Sequence, residues 1–432
     1  MMTSTPSKTS VDSLDAQHAR APACRPARSS GWLVRPLRWW IARLIGRLRE
    51  GSLSLVLPDG QCVEACGPIA GVHASIVLNR WRALVRLMFQ GDIGLARAYR
   101  DGDWSCPDLV ALLQLGARNE VHWAAAADGS WPMRAVHRIG HHLRSNTRRG
   151  SRDNISFHYD LGNEFYALWL DPELVYSSAL YARGDESLET AQAEKTSRIL
   201  ELLQLEDGAS VLEIGCGWGA LAMTLARSRR VQVTGLTLST AQFEHARQRA
   251  AREGLASRID LRLQDYRDVA GRYDRIVSIE MLEAVGEKFW PVYFDTLRQR
   301  LEDDGTAVLQ VITMADAFFD RYRERADFVQ RFIFPGGMLP SWPVLQAQAQ
   351  RAGMTIERAV SFGESYAATL VHWRERFLDA WPAIESLGFG ASFRRLWEYY
   401  LCYCEAGFRC GRVEVGLYVV RHVGASEDAA RR

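Results

Sequence analysis

The sequence lacks a large excess of charge of either sign: 53 basic against 51 acidic residues leave a formal net charge of +2. That balance excludes a nucleic-acid binder that works by net charge alone. Long apolar runs are missing too. The stretch Trp39 to Ile45 is interrupted by Arg43 and falls far short of the roughly 20 apolar residues that a membrane-crossing helix needs. Met1 to Gln17 is polar, rich in serine and threonine and without an apolar centre, so it does not read as a secretion signal, and the chain is expected in the cytoplasm. Cysteine occurs at 24, 62, 66, 106, 216, 402, 404 and 410 without any pair of Cys-x-x-Cys knuckles. A chain of 432 residues does not need disulfide staples, so most of these are expected as reduced core thiols, and no metal site is expected.

What is present is unevenly spread. Between Arg20 and Arg49 there are eight arginines and no acid, and a second basic stretch from Arg134 to Arg152 includes His137, His141 and His142. Residues 1–30 read as a disordered tail. Over 31–50, Leu37, Trp40, Ile41, Leu44 and Leu48 recur at helical spacing, with Arg38, Arg43, Arg47 and Arg49 elsewhere on the wheel. This is a basic amphipathic helix that either lies in a lipid interface or docks on its own domain. Residues 51–133 read as a small domain: SLSLVL alternates as a strand, Pro58-Asp59-Gly60 is a turn, and Ala74–Gln90 and Asp108–Arg118 carry helical patterns. It shows no catalytic constellation. Residues 134–153 form a basic linker.

From Asn154 to about His422 helical and strand patterns alternate, with 423–432 as a tail. Helix Ser187–Leu203 precedes strand Ser210–Ile214; helix Ala220–Arg229, strand Val231–Leu236 and helix Thr240–Glu253 follow, then strands Asp260–Leu263, Tyr273–Ile279 and Thr306–Ile312. Two late strands, Thr355–Phe362 and Glu414–His422, complete the set, the second expected antiparallel. Such alternation predicts a mostly parallel sheet covered on both faces, with ligands at the carboxyl ends of its strands.

The chemistry-bearing residues fall at those ends. Strand 210–214 carries Glu213 and breaks into Gly215-Cys216-Gly217-Trp218-Gly219, where glycine lets the backbone approach a ligand. The spacing differs from the dinucleotide fingerprint Gly-x-Gly-x-x-Gly and resembles motif I of S-adenosylmethionine-dependent methyltransferases; a tight turn without a ligand is the plain alternative. Strand 231–236 runs into Thr237, Ser239 and Gln242, whose hydroxyl and amide groups suit the ribose or amino-acid part of a cofactor, although Ser239 or Thr240 could equally cap the next helix. The third strand closes on Gln264 and Asp265; the carboxylate suits an adenine amino group or an ordinary turn. Strand 273–279 runs into Glu280 and Glu283, acids placed to accept a proton or steady positive charge, or to cap a helix.

Several motifs in order carry a resemblance: His158-Tyr159-Asp160-Leu161-Gly162-Asn163, Leu170-Asp171-Pro172, Tyr176-Ser177-Ser178, the glycine turn, Glu280 to Gly286, Phe334-Pro335-Gly336-Gly337, and Tyr399 to Phe408. Together they are similar to the cyclopropane-fatty-acyl-phospholipid synthase family, closely over 154–422 and more loosely from Gly51. The resemblance implies an α/β class I methyltransferase, a Rossmann-like seven-stranded mostly parallel sheet, with a smaller N-terminal α+β domain for which a lipid-binding role is open. It implies methyl transfer from S-adenosylmethionine to a cis double bond of a phospholipid acyl chain, giving a carbocation that loses a proton to bound bicarbonate as a cyclopropane ring closes.

In the same way, the resemblance places the bicarbonate-holding glutamate at Glu283, its backbone contact at Ile312 and its tyrosine at Tyr366, with Tyr176 and Ser177 at the cofactor and Tyr159 nearby. It implies a peripheral enzyme on the inner face of the membrane and leaves a homodimer open. Phe165, Tyr166, Trp218, Tyr399 and Tyr403 are candidates for a cation-stabilising lining or an acyl channel, or are plain core. Cys404 reads as structural, since alkene methylation needs no covalent enzyme intermediate. The chain departs from the family pattern at Ser178, Ala284 and Gln310, where the family has cysteine and two histidines. These changes leave the product open between a ring and a methylene- or methyl-branched chain. Methylation of a soluble amine or hydroxyl and a non-enzymatic lipid-binding scaffold are the competing readings.

Overall fold

The structure is a computed structural model that describes residues 35–127 and 161–424. The tail 1–30, the linker 134–153, the segment with His158, Tyr159 and Asp160, and most of the tail 423–432 lie outside the described residues.

Two sheets organise the molecule. The large one contains β5 (Ser210–Ile214), β6 (Gln232–Thr237), β7 (Ile259–Leu263), β8 (Tyr273–Ile279), β9 (Leu301–Met314), β10 (Met354–Ser361) and β11 (Val413–His422), in the order β10-β11-β9-β8-β5-β6-β7. β5 is parallel to β6 and β8, β6 to β7, and β8 to β9, whereas β11 runs antiparallel to both neighbours. Val211, Leu212, Ile276, Val277, Ala307, Val308 and Leu309 have no exposed surface. Central parallel strands are covered on both faces, so they read as continuous apolar runs. The chain winds outward from β5 in one direction through β6 and β7 and in the other through β8 and β9. The glycine turn after β5 therefore sits where the winding reverses, the place such sheets bind ligands.

The small sheet holds β1 (Glu50–Val56), β2 (Cys62–Cys66), β3 (Ile69–Leu78) and β4 (Trp104–Ser105) in the order β2-β1-β3-β4. Helices Arg82–Arg100 and Leu109–Ala127 join this sheet to helix Ala391–Arg409 of the large lobe. The helix expected over Ala74–Gln90 forms only from Arg82. Ahead of it, Ala74, Ile76 and Leu78 are buried at every second position and the segment pairs in parallel with β1. Sheet pairing wins over helical spacing there because the alternate side chains fill the core beneath β1.

The basic helix spans Arg35–Ile45. Its stripe faces inward: Ile41, Ile45 and Leu48 are buried and Leu37 and Trp40 pack on the core. Trp39 points outward, 64% exposed, with the Arg43 guanidinium over its ring at 5.5 Å. Cys62 is disulfide-bonded, a departure from the expected reduced thiols, while the other described cysteines are free.

Candidate active site

The cofactor side of the site is built on the turn after β5. Gly215, Gly217 and Gly219 have φ of 85°, 53° and 86°, a left-handed run that L side chains rarely adopt. A Cβ on Gly219 would stand 3.0 Å from the Ala246 Cβ, and one on Gly215 equally close to the Met281 Cγ, whereas Gly217 faces open space. Only Gly217 thus offers bare backbone to a ligand; the other two let the helix and the β8 loop pack tightly. Glu213 sits directly beneath. It is buried, one carboxylate oxygen has no partner, and burial pushes its pKa up to about 8. A buried orphan carboxylate oxygen beside a glycine turn is the complement of an ammonium group, so these residues fit the amino-acid end of S-adenosylmethionine.

The other expected cofactor residues are brought to the same edge, some of them already engaged. The Gln242 amide oxygen accepts a hydrogen bond from the Thr237 hydroxyl at 2.9 Å, and Ser239 caps the helix by accepting from the Gln242 N–H. Gln264 donates to the Asp268 carbonyl at 2.8 Å. Both oxygens of buried Asp265 accept from the Arg267 guanidinium, and Asp265 also caps the turn 266–268. Tyr176 contacts the Tyr400 hydroxyl at 3.0 Å, and the Ser177 hydroxyl accepts from the Lys195 ammonium at 2.7 Å. Trp218 donates from its indole N–H to Asn163, whose amide in turn reaches the Ala241 carbonyl, tying the glycine turn to the preceding segment and the next helix.

The reactive side is built at the end of β8. Glu280 adopts φ of 50°, an uncommon value for a side chain other than glycine or asparagine. Its Oε1 accepts from the Ser178 backbone N–H at 2.9 Å and the Gln310 amide at 2.7 Å; its Oε2 accepts from the Tyr366 hydroxyl at 2.7 Å. The Ser178 hydroxyl turns away and donates to the Ala179 carbonyl. Glu283, one helical turn on, accepts from the Ile312 N–H at 2.6 Å, and its other oxygen is buried and unpaired. Burial, then the charge of Glu280, lifts Glu283 to about 8. Burial raises Glu280 as well, but its three donors and the nearby Lys195 favour the charged form. Burial and mutual repulsion thus oppose two charges on the pair, and the hydrogen bonds favour Glu280 as the member that carries the charge.

The structure thus brings together Ser178, Gln310, Tyr366, Glu283 and Ile312, all of them singled out in the sequence, and sets Glu280, the other acid marked at the end of β8, among the first three. It also adds Lys195, buried, lowered to about 8 by burial, and facing Glu280 and Asp171. No sequence signal marked it, since a lysine in an amphipathic helix reads as solvated. Of the residues expected around bicarbonate, Tyr366 and the altered positions Ser178 and Gln310 donate to Glu280, and the Ile312 N–H donates to Glu283. Phe165, Tyr166 and Tyr399 are fully buried core, Trp218 almost so, and half-buried Tyr403 reaches Asp327. The Tyr366 ring stacks on Phe408 at 4.5 Å. Burial pushes the Cys404 thiol well up, consistent with a structural residue. Among the described residues no acid, histidine and cysteine cluster is arranged to hold a metal ion.

Comparison with known proteins agrees with this geometry. The family model for mycolic acid cyclopropane synthetase matches residues 146–417. The tuberculostearic acid methyltransferase of Mycobacterium tuberculosis is 38% identical over 383 residues, 84% of this chain and 86% of that protein. The cyclopropane-fatty-acyl-phospholipid synthase of Escherichia coli is 36% identical over 348 residues, covering 76% and 83%. A solved mycolic acid cyclopropane synthase, complexed with SAH and CTAB, superimposes with a TM-score of 0.58 at 32% identity, covering 62% of this chain and 97% of that one. With its class I sheet, its glycine turn over Glu213 and these relatives, the chain belongs to the mycolic acid cyclopropane synthetase family, as an S-adenosylmethionine-dependent methyltransferase.

Proposed function

We propose that the chain transfers the methyl group of S-adenosylmethionine to a cis double bond of an unsaturated acyl chain in a membrane phospholipid. The observation that carries this reading is the Glu280 carboxyl group, fixed by three hydrogen bonds beside Glu283 at the strand end next to the glycine turn. An alkene is a neutral, weak nucleophile, and its methylation leaves a cation on carbon. An anion preorganised in a water-poor cleft stabilises that cation most when it needs no reorientation, and three hydrogen bonds hold Glu280 still. Tyr176 and Tyr366 each pack on the buried Trp373 ring, which places their aromatic rings close to Glu280.

Ring closure to a cyclopropane is the primary product reading. The changed residues Ser178, Ala284 and Gln310 favour a second, in which a hydride shift moves the cation to the methylated carbon before the methyl group loses its proton, and a methylene branch results. We place the enzyme as a peripheral protein at the cytoplasmic membrane face. In support, the small lobe exposes Trp39, Ile69, Phe89 and Val121, and among the described residues no helix is long and apolar enough to cross a membrane.

The test is incubation of the purified protein with S-adenosylmethionine and vesicles of oleoyl phospholipid, followed by mass spectrometry of the acyl chains. The expected result is a gain of one CH2 per modified chain. Proton NMR then separates upfield ring protons from vinylidene protons. Absence of any mass gain, with the cofactor bound, overturns the reading.

A further inference from the structure

Glu280 raises a chemical question of its own. A carboxylate accepts about four hydrogen bonds. Oε1 takes two, from Ser178 and Gln310, and Oε2 takes one, from Tyr366, which leaves an open lone-pair position on Oε2. The residue as a whole is half-buried. Its backbone is fixed as well: the Glu280 N–H donates to the Gln310 carbonyl at 2.9 Å. Glu283 is held differently: its Oε1 accepts from the Ile312 N–H, while the Ser178, Gln310 and Tyr366 donors go to Glu280. A side-chain carboxylate and bicarbonate present the same planar fork and the same single charge. Here the side chain occupies the donors.

We propose that Glu280 is the resident base of this enzyme, receiving the proton that the methylated acyl cation releases, with no added bicarbonate. The proposal rests on the alkene-methylation reading above. The π pair of the double bond forms a bond to the methyl carbon while the carbon–sulfur bond breaks and its electrons stay on sulfur, giving neutral S-adenosylhomocysteine and a carbocation. For ring closure a C–H bond of the transferred methyl group breaks and its electrons form the ring bond to the cationic carbon; for a methylene branch a hydride first shifts from the methylated carbon to its cationic neighbour, and the methyl C–H electrons then form the new double bond. In either case the proton goes to Glu280 Oε2, which becomes a neutral carboxylic acid and later returns the proton to solvent. Tyr366 is a positioning residue in this scheme, aiming Oε2 from the helix Gly363–Asp379.

The test uses the full chain, S-adenosylmethionine and oleoyl phospholipid vesicles in carbonate-free buffer and in buffer with added bicarbonate, comparing wild type with Glu280→Gln and Glu280→Gly. Wild type is expected to methylate at the same rate, within about twofold, in both buffers, and Glu280→Gln to lose on the order of 100-fold, the usual contribution of a general base. Glu280→Gly, which empties the donor set, is expected to regain part of its rate with bicarbonate. A wild-type rate that falls severalfold without bicarbonate overturns the proposal, and that arm needs no variant to fold. A full rate in Glu280→Gln also overturns it. No mass gain in wild type under either condition overturns the alkene reading itself.

Discussion

Glu213 shows how one residue ties cofactor recognition to the stability of the whole chain. Its carboxyl holds a proton up to about 8 in the folded protein against an ordinary 4.5, the main cause being burial. Between those values the folded state binds more protons than the unfolded one, so the stability that goes with the proton is complete below about 4.5 and is lost as pH rises through about 8. Cofactor-free wild type should therefore melt at progressively lower temperature from about pH 5 to about pH 8. Glu213→Gln should show a shallower decline, with the remainder due to Glu283, which titrates in the same sense. Parallel melting curves for the two proteins would sink the assignment of that slope to Glu213. The position of Glu213 under a glycine turn was legible in the sequence, because strand, turn and helix are consecutive. Glu280 was marked as an acid at a strand end, but the donor set that holds it was not legible. Its three donors come from positions 102, 30 and 86 residues away, a convergence made by the assembled sheet and by helix Gly363–Asp379, which no local pattern encodes.

At the scale of elements, helix Ala391–Arg409 acts as a shared wall. Its Glu398 accepts from the Tyr99 hydroxyl at 3.1 Å and its Arg395 donates to the Arg100 carbonyl, so the small lobe is fastened to it. On its other side buried Glu405 accepts from Arg374 at 2.6 Å and from Arg409 at 2.8 Å. Arg374 and Tyr366 lie on the same helix, so this ion pair, together with the Tyr366–Phe408 stack, fixes the tyrosine that aims Glu280. Removing one member of a buried pair leaves the other desolvated and uncompensated. Glu405→Ala should cost about 3 kcal/mol in urea unfolding, whereas the double change Arg374→Met with Glu405→Leu should recover most of it. A single variant within about 0.5 kcal/mol of wild type would count against this coupling, since that is the range of ordinary surface changes. The strands of the large sheet were readable because buried parallel strands are apolar throughout, and the observed ends fall near the expected ones. Ala74 to Leu78 misled because the same apolar residues satisfy both a period of two and a helical stripe. What decides between them is the neighbouring β1, a partner the local spacing does not display.

For the whole molecule, the proposed reaction requires an acyl chain anchored in a bilayer to reach the strand ends of the large sheet. The basic helix was expected either to lie in lipid or to dock on its own domain. It docks by Ile41, Ile45 and Leu48, and turns Trp39 and Arg43 outward. The docked stripe and a membrane contact are thus compatible: one face packs on the core and the other is left free. Tryptophan favours the headgroup level and each basic group near an anionic surface contributes about 1 kcal/mol, so the outward pair suits a phospholipid surface. Deleting residues 1–50 would remove buried core along with the exposed face and so test folding rather than binding. The sharper experiment is Trp39→Asp with Arg43→Glu, which leaves the buried stripe in place. Sedimentation with anionic phospholipid vesicles should fall about tenfold or more, since reversing one charge alone changes the attraction by about 2 kcal/mol and each 1.4 kcal/mol is a factor of ten. The melting temperature and cofactor binding should stay as in wild type. Weaker binding should disappear as a difference at high salt, where surface attraction is screened. Unchanged sedimentation at low salt would mean that the membrane is met elsewhere on the molecule, with the exposed Val85 and Phe89 of helix Arg82–Arg100 the next face to alter.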